Sequence, residues 1–260
     1  MKTKALVRKL ATRFPKRIAE PGDRVGLMTG KFKEKTKRIV VCLDFDEEVM
    51  RHIEALDGGP VDLILTHHPF LYRSRYQVFK KDEIKRRLTE KVDALGIPVY
   101  SMHTNFDSGK DGMNDALAST LRLSDIRQLE SMPMARGGRL AQKMPIKQFA
   151  EVAARLLNVP YGLLINAGKE MVETVAIIGG GGSSYYQNAL NEGYDIFISG
   201  DAPHHVRRDI VLRKYNYLDL PHEIERIFIS QMGKILKEID ADLEVIAINH
   251  EETPEVIIVS

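Results

Sequence analysis

Apolar residues run in short blocks along the first half of the chain, at 38–44 (RIVVCLD), 61–66 (VDLILT) and 97–102 (IPVYSM), each bounded by turn residues or by segments with helical spacing. Blocks of this length predict buried strands. Between them, Val49, Ile53 and Leu56 within 47–56, and Ile84, Leu88, Val92 and Leu95 within 82–95, recur at three- and four-residue steps and predict amphipathic helices. Strand alternating with helix predicts an α/β fold with mixed or mostly parallel sheets.

The second half repeats the scheme. ETVAII at 173–178 matches the first strand, a helical segment runs through Ala189 and Leu190, and YDIFIS at 194–199 matches VDLILT in length and in its leading aspartate. YNYLDL at 215–220 then stands where IPVYSM stood, so that DLILTHHPF aligns with DIFISGDAPHH and IPVYSMHTNFD with YNYLDLPHEIE. The pattern predicts an internal duplication, with a first repeat over 1–128 and a second over 129–260. The segment 130–143, rich in Gly, Arg and Met and holding Gly137-Gly138, reads as the connection. Behind Pro145, 146–157 reads as a helix with Phe149, Val152, Ala153 and Leu156 on one face.

This alignment puts every histidine motif just past the C-terminal end of a strand, where α/β sheets gather their ligands. Six of the eight histidines lie there: His67, His68, His103, His204, His205 and His222. Imidazole is the commonest transition-metal ligand, and sets that mix it with carboxylate suit Zn, Mn, Fe or Co. In THHPF, neighbouring residues of an extended backbone point opposite ways, so His67 and His68 would each serve a different ion; the plainer reading is a pair of loop histidines bonded to backbone carbonyls. HTNFD sets His103 and Asp107 four residues apart, with Asp107 a ligand or a helix cap, and Asn114 and Asp115 mark the start of the next helix. PHEIERIF opens the last helix with His222 and Glu225 on one face, whereas Glu223 projects about 100° away. The glycines at 179–182, followed by Ser183 and Ser184, make either a phosphate cradle or a tight turn.

Composition narrows the partners. Apolar residues at 43% and charged residues at 28% describe a folded chain with little room for disorder. With 38 basic and 36 acidic side chains the net charge is +2, too small a field to make nucleic acid an expected partner. The basic runs at 31–38 and 80–87 read as solvated faces. The one cysteine, Cys42, falls inside an apolar run and reads as core, and no stretch nears the roughly 20 apolar residues that cross a bilayer. A cytoplasmic location without membrane association is expected.

Taken together, EPGDRVGLMTG, DLILTHHPF, HTNFDSGKDGMNDALA, VAIIGGGGSS, FISGDAPHH and the terminal His-x-x-Glu resemble the NIF-three-like family of dinuclear-metal proteins, many of them labelled GTP cyclohydrolase I type 2 homologues. The resemblance implies two intertwined α/β repeats with a metal pair in the cleft between them. His67 and His222 would hold one ion and His68 and Asp107 the other, with Glu225 bridging. His103 would stand beside them as a further ligand or a proton-handling group, and His204 and His205 match the family's His pair near the site. Ring-like hexamers are common in the family, so a homo-oligomer is expected. One departure is Gly22, which stands before Asp23 where the family usually has tryptophan; another is the lack of room for the large domain that some members insert between the repeats. The expected function is that of a hydrolase using two divalent ions on a small-molecule substrate, a nucleotide or related ring, with Glu225 and His103 catalytic. The alternative is a non-catalytic metal-binding regulatory or scaffold protein.

Overall fold

The computed structural model describes residues 1–258. In chain order its strands are β1 (Gly26–Thr29), β2 (Arg38–Cys42), β3 (Leu63–Thr66), β4 (Val99–Ser101), β5 (Ser124–Gln128), β6 (Arg136–Pro145), β7 (Leu163–Asn166), β8 (Met171–Ile177), β9 (Ile196–Ser199), β10 (Asn216–Asp219) and β11 (Glu244–Ala247). Every strand and helix expected in the first half is present, with no end trimmed by more than two residues. No helix among the described residues is long and apolar enough to cross a membrane.

The chain forms two compact units. The first comprises Met1–Lys110 with Phe228–His250, and its sheet runs β1-β4-β3-β2-β11. β2, β3, β4 and β11 are parallel, with β1 antiparallel at one edge. All five residues of β2 are buried, as a strand covered on both faces requires. The helices Glu47–Glu54 and Glu83–Ala94 start where the Asp46 and Asp82 side chains accept from the backbone N–H groups of Val49 and Lys85. Their inner residues, Val49, Ile53, Leu88 and Val92, join Phe45 and Phe70 in one core.

The second unit comprises Asp111–Ile227 with the segment from Glu251 onward, and its sheet runs β5-β6-β8-β9-β10-β7. β8, β9 and β10 are parallel; β5, β6 and β7 are antiparallel to their neighbours. Its core holds Tyr186, Phe197 and Tyr217. Most of the segment expected to be a connection, 136–143, lies within β6. Gly137 and Gly138 look like turn residues in sequence but serve packing: a Cβ on Gly137 would fall 2.0 Å from the Tyr194 hydroxyl, and one on Gly138 2.9 Å from Leu123.

The duplication extends to side-chain wiring. Asp62, just before β3, accepts from the N–H groups of Lys37 and Arg38 at 2.9 and 3.1 Å and pairs with Lys33 at 3.1 Å. Asp195, just before β9, accepts from the N–H groups of Glu173 and Thr174, both at 2.9 Å, and pairs with Lys169 at 2.5 Å. Burial opposes ionisation of both carboxyls, but these donors outweigh it and hold both below the ordinary carboxylate range.

The units are not contiguous halves, so they do not coincide with a division at 128/129. The helix Met113–Thr120 and β5, from the first half, belong to the second unit, while most of the helix Ile227–Ile239 and all of β11, from the second half, belong to the first. That late helix buries Phe228, Met232, Ile235 and Leu236. β11 adds to β2 in parallel, with Glu244 opposite Arg38 and their side chains 2.9 Å apart. Each repeat thus donates its last helix and strand to the other unit's fold, the arrangement that "intertwined" denotes.

Asp195→Asn is expected to cost about 1–3 kcal/mol at pH 7, because a buried carboxylate satisfying two backbone donors and an ammonium is replaced by a neutral group. A depressed carboxyl stabilises the fold above its unfolded pKa and loses that effect as the pH falls through its folded value, so the difference between variant and parent should shrink below pH 4. Urea unfolding at both pH values measures it.

Candidate metal centre

In the first unit, β3 ends at Thr66 and the chain bends at once. The backbone N–H groups of His67 and His68 both donate to the Leu43 carbonyl at 3.1 Å, and the Thr66 hydroxyl donates to the His68 carbonyl at 2.8 Å. The backbone here is bent rather than extended, so the two rings converge instead of pointing apart as an extended dipeptide would place them: their centroids are 5.0 Å apart. His103, past the end of β4, completes the group. Its ring lies 5.2 Å from that of His67, and one nitrogen from each of the three rings falls within 4.8 Å of the others. The short helix Thr104–Ser108 carries Asp107, buried, to 3.6 Å from His67 Nε2. Asp107 lies within this helix, and the N-cap of the next is Gly112. Its turn is held by Phe106, packed between Phe14 and Phe228 at 4.8 and 5.0 Å, and by Asn105, which donates to the Phe14 carbonyl.

Each imidazole is anchored through Nδ1. In the first unit His67 Nδ1 meets the Met102 carbonyl at 2.9 Å, His68 Nδ1 meets Asp44 at 2.7 Å, and His103 Nδ1 meets Asp23 at 2.9 Å. A carbonyl or an ionised carboxylate can only accept, so each Nδ1 carries the proton, and Nε2 is the nitrogen available as a lone-pair donor. Burial pushes the Asp23 carboxyl up, but hydrogen bonds from His103 and from the Thr104 hydroxyl and N–H overcome it and hold it far below the usual range. Asp44 behaves alike: burial opposes, and the His68 bond with the charges of His68 and Lys85 prevails. Sequence reasoning passed over both aspartates as site residues, although each was visible in a quoted motif, Asp44 at the end of RIVVCLD and Asp23 in EPGDRVG.

In the second unit Pro221 opens a 3-10 helix, His222–Arg226, ahead of the α-helix. Three residues per turn eclipse positions i and i+3, which stacks His222 over Glu225 with Nε2 and Oε2 3.1 Å apart. His222 Nδ1 is again held by a strand-end carboxylate, Asp201, at 2.5 Å. The Glu225 hydrogen bond raises the His222 pKa most, burial opposes, and the charges of Glu225 and Asp201 carry it to about 9. Binding a cation at Nε2 would release that proton. The glycine-rich loop makes a tight turn here, with the Gly182 N–H donating to the Gly180 carbonyl. It closes on this pair: Gly180, at φ +63°, lies where a Cβ would come within 2.3 Å of Glu225 Oε1 and 3.1 Å of His222 Nε2. The Ser199 hydroxyl and the Gly200 N–H both donate to the Gly180 carbonyl and fix the loop. His204 and His205 begin the helix His204–Leu212, exposed, and join no potential metal-ligand group among the described residues.

Converging imidazoles tethered through Nδ1, together with buried carboxylates, fit a divalent transition ion, and the donor chemistry suits Zn, Mn, Fe or Co. Fold and site thus define a duplicated α/β protein with histidine–carboxylate groups able to hold metal. The sequence matches the family described as Duf34/NIF3 (NGG1p interacting factor 3) over residues 1–254. The chain belongs to that family. It is 29% identical over 248 residues to the GTP cyclohydrolase 1 type 2 homolog of Clostridium perfringens, covering 92% of this chain and 93% of that one. It is also 29% identical to the homolog of the same name from Lactococcus lactis, covering 89% and 90%. Among solved structures, the Bacillus cereus protein related to NIF3 superposes with a TM-score of 0.87 at 20% identity, covering 99% of each chain.

Two substitutions probe these anchors. Asp44→Ala frees the His68 ring to rotate and is expected to weaken metal affinity roughly 10- to 100-fold with little change in melting temperature. Gly180→Ala forces Glu225 out of place and should lower the metal content of purified protein; calorimetric titration with Zn²⁺ and elemental analysis measure the two effects.

Proposed function

We propose that this protein is a metal-dependent hydrolase that holds two divalent ions per chain and acts on a nucleotide or related ring. The ligand set follows the family resemblance: His67 and His222 on one ion, His68 and Asp107 on the other, and Glu225 shared. The observation that carries this reading is the anchoring of every one of these imidazoles through Nδ1, which leaves Nε2 for coordination. A structural zinc site closes its coordination with four protein donors, whereas histidines mixed with carboxylates suit open catalytic sites. Divalent ions so held supply Lewis-acid chemistry, drawing the pKa of a water toward neutrality and offsetting charge that develops on the substrate.

The chain's own residues supply the rest. His103, hydrogen-bonded to Asp23, takes a proton at Nε2 and returns it to a leaving group, with the Asp23 carboxylate stabilising the imidazolium between the two steps. Glu225, buried beside His222, orients the attacking water and accepts its hydrogen bond.

Elemental analysis under metal-replete conditions should find about two ions per chain in the parent and a clear loss in the Asp107→Ala, Glu225→Ala double variant. Metal-loaded protein is then assayed against nucleotides, phosphodiesters and pterin precursors. Turnover abolished by His103→Ala with metal content retained supports the hydrolase; a flat panel with both ions in place would favour a non-catalytic metal-binding scaffold.

A further inference from the structure

The continuous apolar runs at 39–42, 63–65 and 196–198 lie buried in β2, β3 and β9, as strands covered on both faces do. A further run of this kind, Val256, Ile257 and Ile258, is exposed. Its β-branched side chains are 45%, 75% and 87% exposed, so the chain moves outward step by step after Glu251, whose carbonyl accepts from the Arg226 guanidinium at 3.3 Å. A strand with one wet face alternates apolar and polar residues. Three apolar residues in succession suit a strand with cover on both sides.

The second unit leaves such a place open. β7 is the last strand of its sheet, so one edge of its backbone faces no other strand. Between β7 and the helix Ile146–Leu156 runs a groove of about 660 Å³. Alternate residues Gly162, Leu164 and Asn166 line it from the strand side, Ala150 and Ala154 from the helix side, and the buried Leu218 from β10. Ile165 points the opposite way and packs on the core with Val206 of the helix His204–Leu212. The β7 edge therefore has one helix beside each of its faces.

We infer that residues 255–258 of a second copy of this chain add to β7 as a further strand, with alternate side chains entering the groove. Backbone hydrogen bonds hold the added strand, and its two-sided apolar character selects this edge over the other end of the sheet, where β5 (SDIRQ) is polar and largely exposed. The small side chains at Ala150, Ala154 and Gly162 leave the room that Val and Ile fill. Charge agrees: Lys147 and Arg155 outnumber Glu151 along the helix side of the groove, and the incoming segment brings Glu252 and Glu255. The outward course of 256–258 directs them to a neighbour instead of back onto their own β7. Each copy offers one tail and one groove, so the exchange closes as a dimer or a ring. The contact is independent of the metal chemistry proposed above.

Hydrogen exchange and sedimentation velocity of the full chain test this contact. Amides of 163–166 should exchange at least roughly tenfold more slowly in the parent than in a variant ending at Pro254, and the variant should associate more weakly. Ile257→Asp, which keeps the chain length, should act like the truncation because it places a charge in a covered position. Chains carrying Ala154→Cys, mixed with differently tagged chains carrying Ile257→Cys or Ile258→Cys and treated with a short thiol cross-linker, should give a covalent pair. One of the two tail positions should dominate, because neighbours in a strand face opposite ways. Should the shortened chain fail to fold, Ala154→Arg decides, since it fills the groove and leaves the tail intact: faster exchange at 163–166 supports the contact and unchanged exchange refutes it. A parent that sediments as a monomer at every concentration, slow exchange at 163–166 that survives truncation, or no cross-link between the two tagged chains would overturn the proposal. So would slow exchange that persists in diluted monomer, which would place the tail on its own groove.

Discussion

A histidine side chain at a strand end can rotate about two bonds and offer either nitrogen, and an ion selects only one of those arrangements. In this protein the freedom is removed before any ion arrives, by an acceptor placed against each Nδ1: the Met102 carbonyl for His67, Asp44 for His68, Asp23 for His103 and Asp201 for His222. Three of the four acceptors are carboxylates, which also raise the basicity of the opposite nitrogen. Much of the surrounding architecture serves to keep these acceptors in place. Asp44 leaves the end of the fully buried β2, Asp201 follows β9, and Asp23 is locked by the hydroxyl and N–H of Thr104, the residue after His103.

Duplication explains how two such sets arise in one chain. Three parallel strands recur in each unit, an aspartate ahead of the middle strand ties two backbone N–H groups and a lysine in both, and the strand ends project polar side chains in both. The copies then diverged at the ends that carry chemistry. Where the first has His67 and His68, the second has Gly200 and Asp201, an acid that holds the His222 ring in place of a second imidazole. The glycines of the second copy make room: backbone packs against Glu225 and His222 at a distance that only a missing Cβ allows.

The candidate residues were legible in sequence because residue type and strand-end position survive without coordinates: His67, His68, His103, Asp107, His222 and Glu225 all follow the ends of apolar blocks. What holds their side chains was not. Asp23 and Asp44 are ordinary aspartates until the fold brings each to within 3 Å of an imidazole 80 and 24 residues away. The convergence of His67 and His68 depends on two N–H groups sharing the Leu43 carbonyl, a long-range contact invisible to a rule about extended dipeptides. Gly137 and Gly138 read as a turn because glycine's local preference is strong, and only the Tyr194 ring against them accounts for their place inside β6. The exchange of terminal elements between units left no local mark at all, because β11 pairs with β2 through a backbone register that side-chain periodicity does not encode.

If the tethered imidazoles are built to hold metal, their protonation pattern should be set before metal binds. Long-range ¹H–¹⁵N correlation spectra of histidine-labelled protein, recorded metal-free and after Zn²⁺ titration, report it ring by ring. His67, His68 and His103 should each carry a proton at Nδ1 in both states, with Nε2 shifting on addition of metal. His222, raised to about 9 by Glu225 and Asp201, should be doubly protonated at pH 7 without metal and lose only its Nε2 proton with it. A neutral tautomer protonated at Nε2 in the metal-free protein, or Nε2 signals that Zn²⁺ leaves unmoved, would contradict the account.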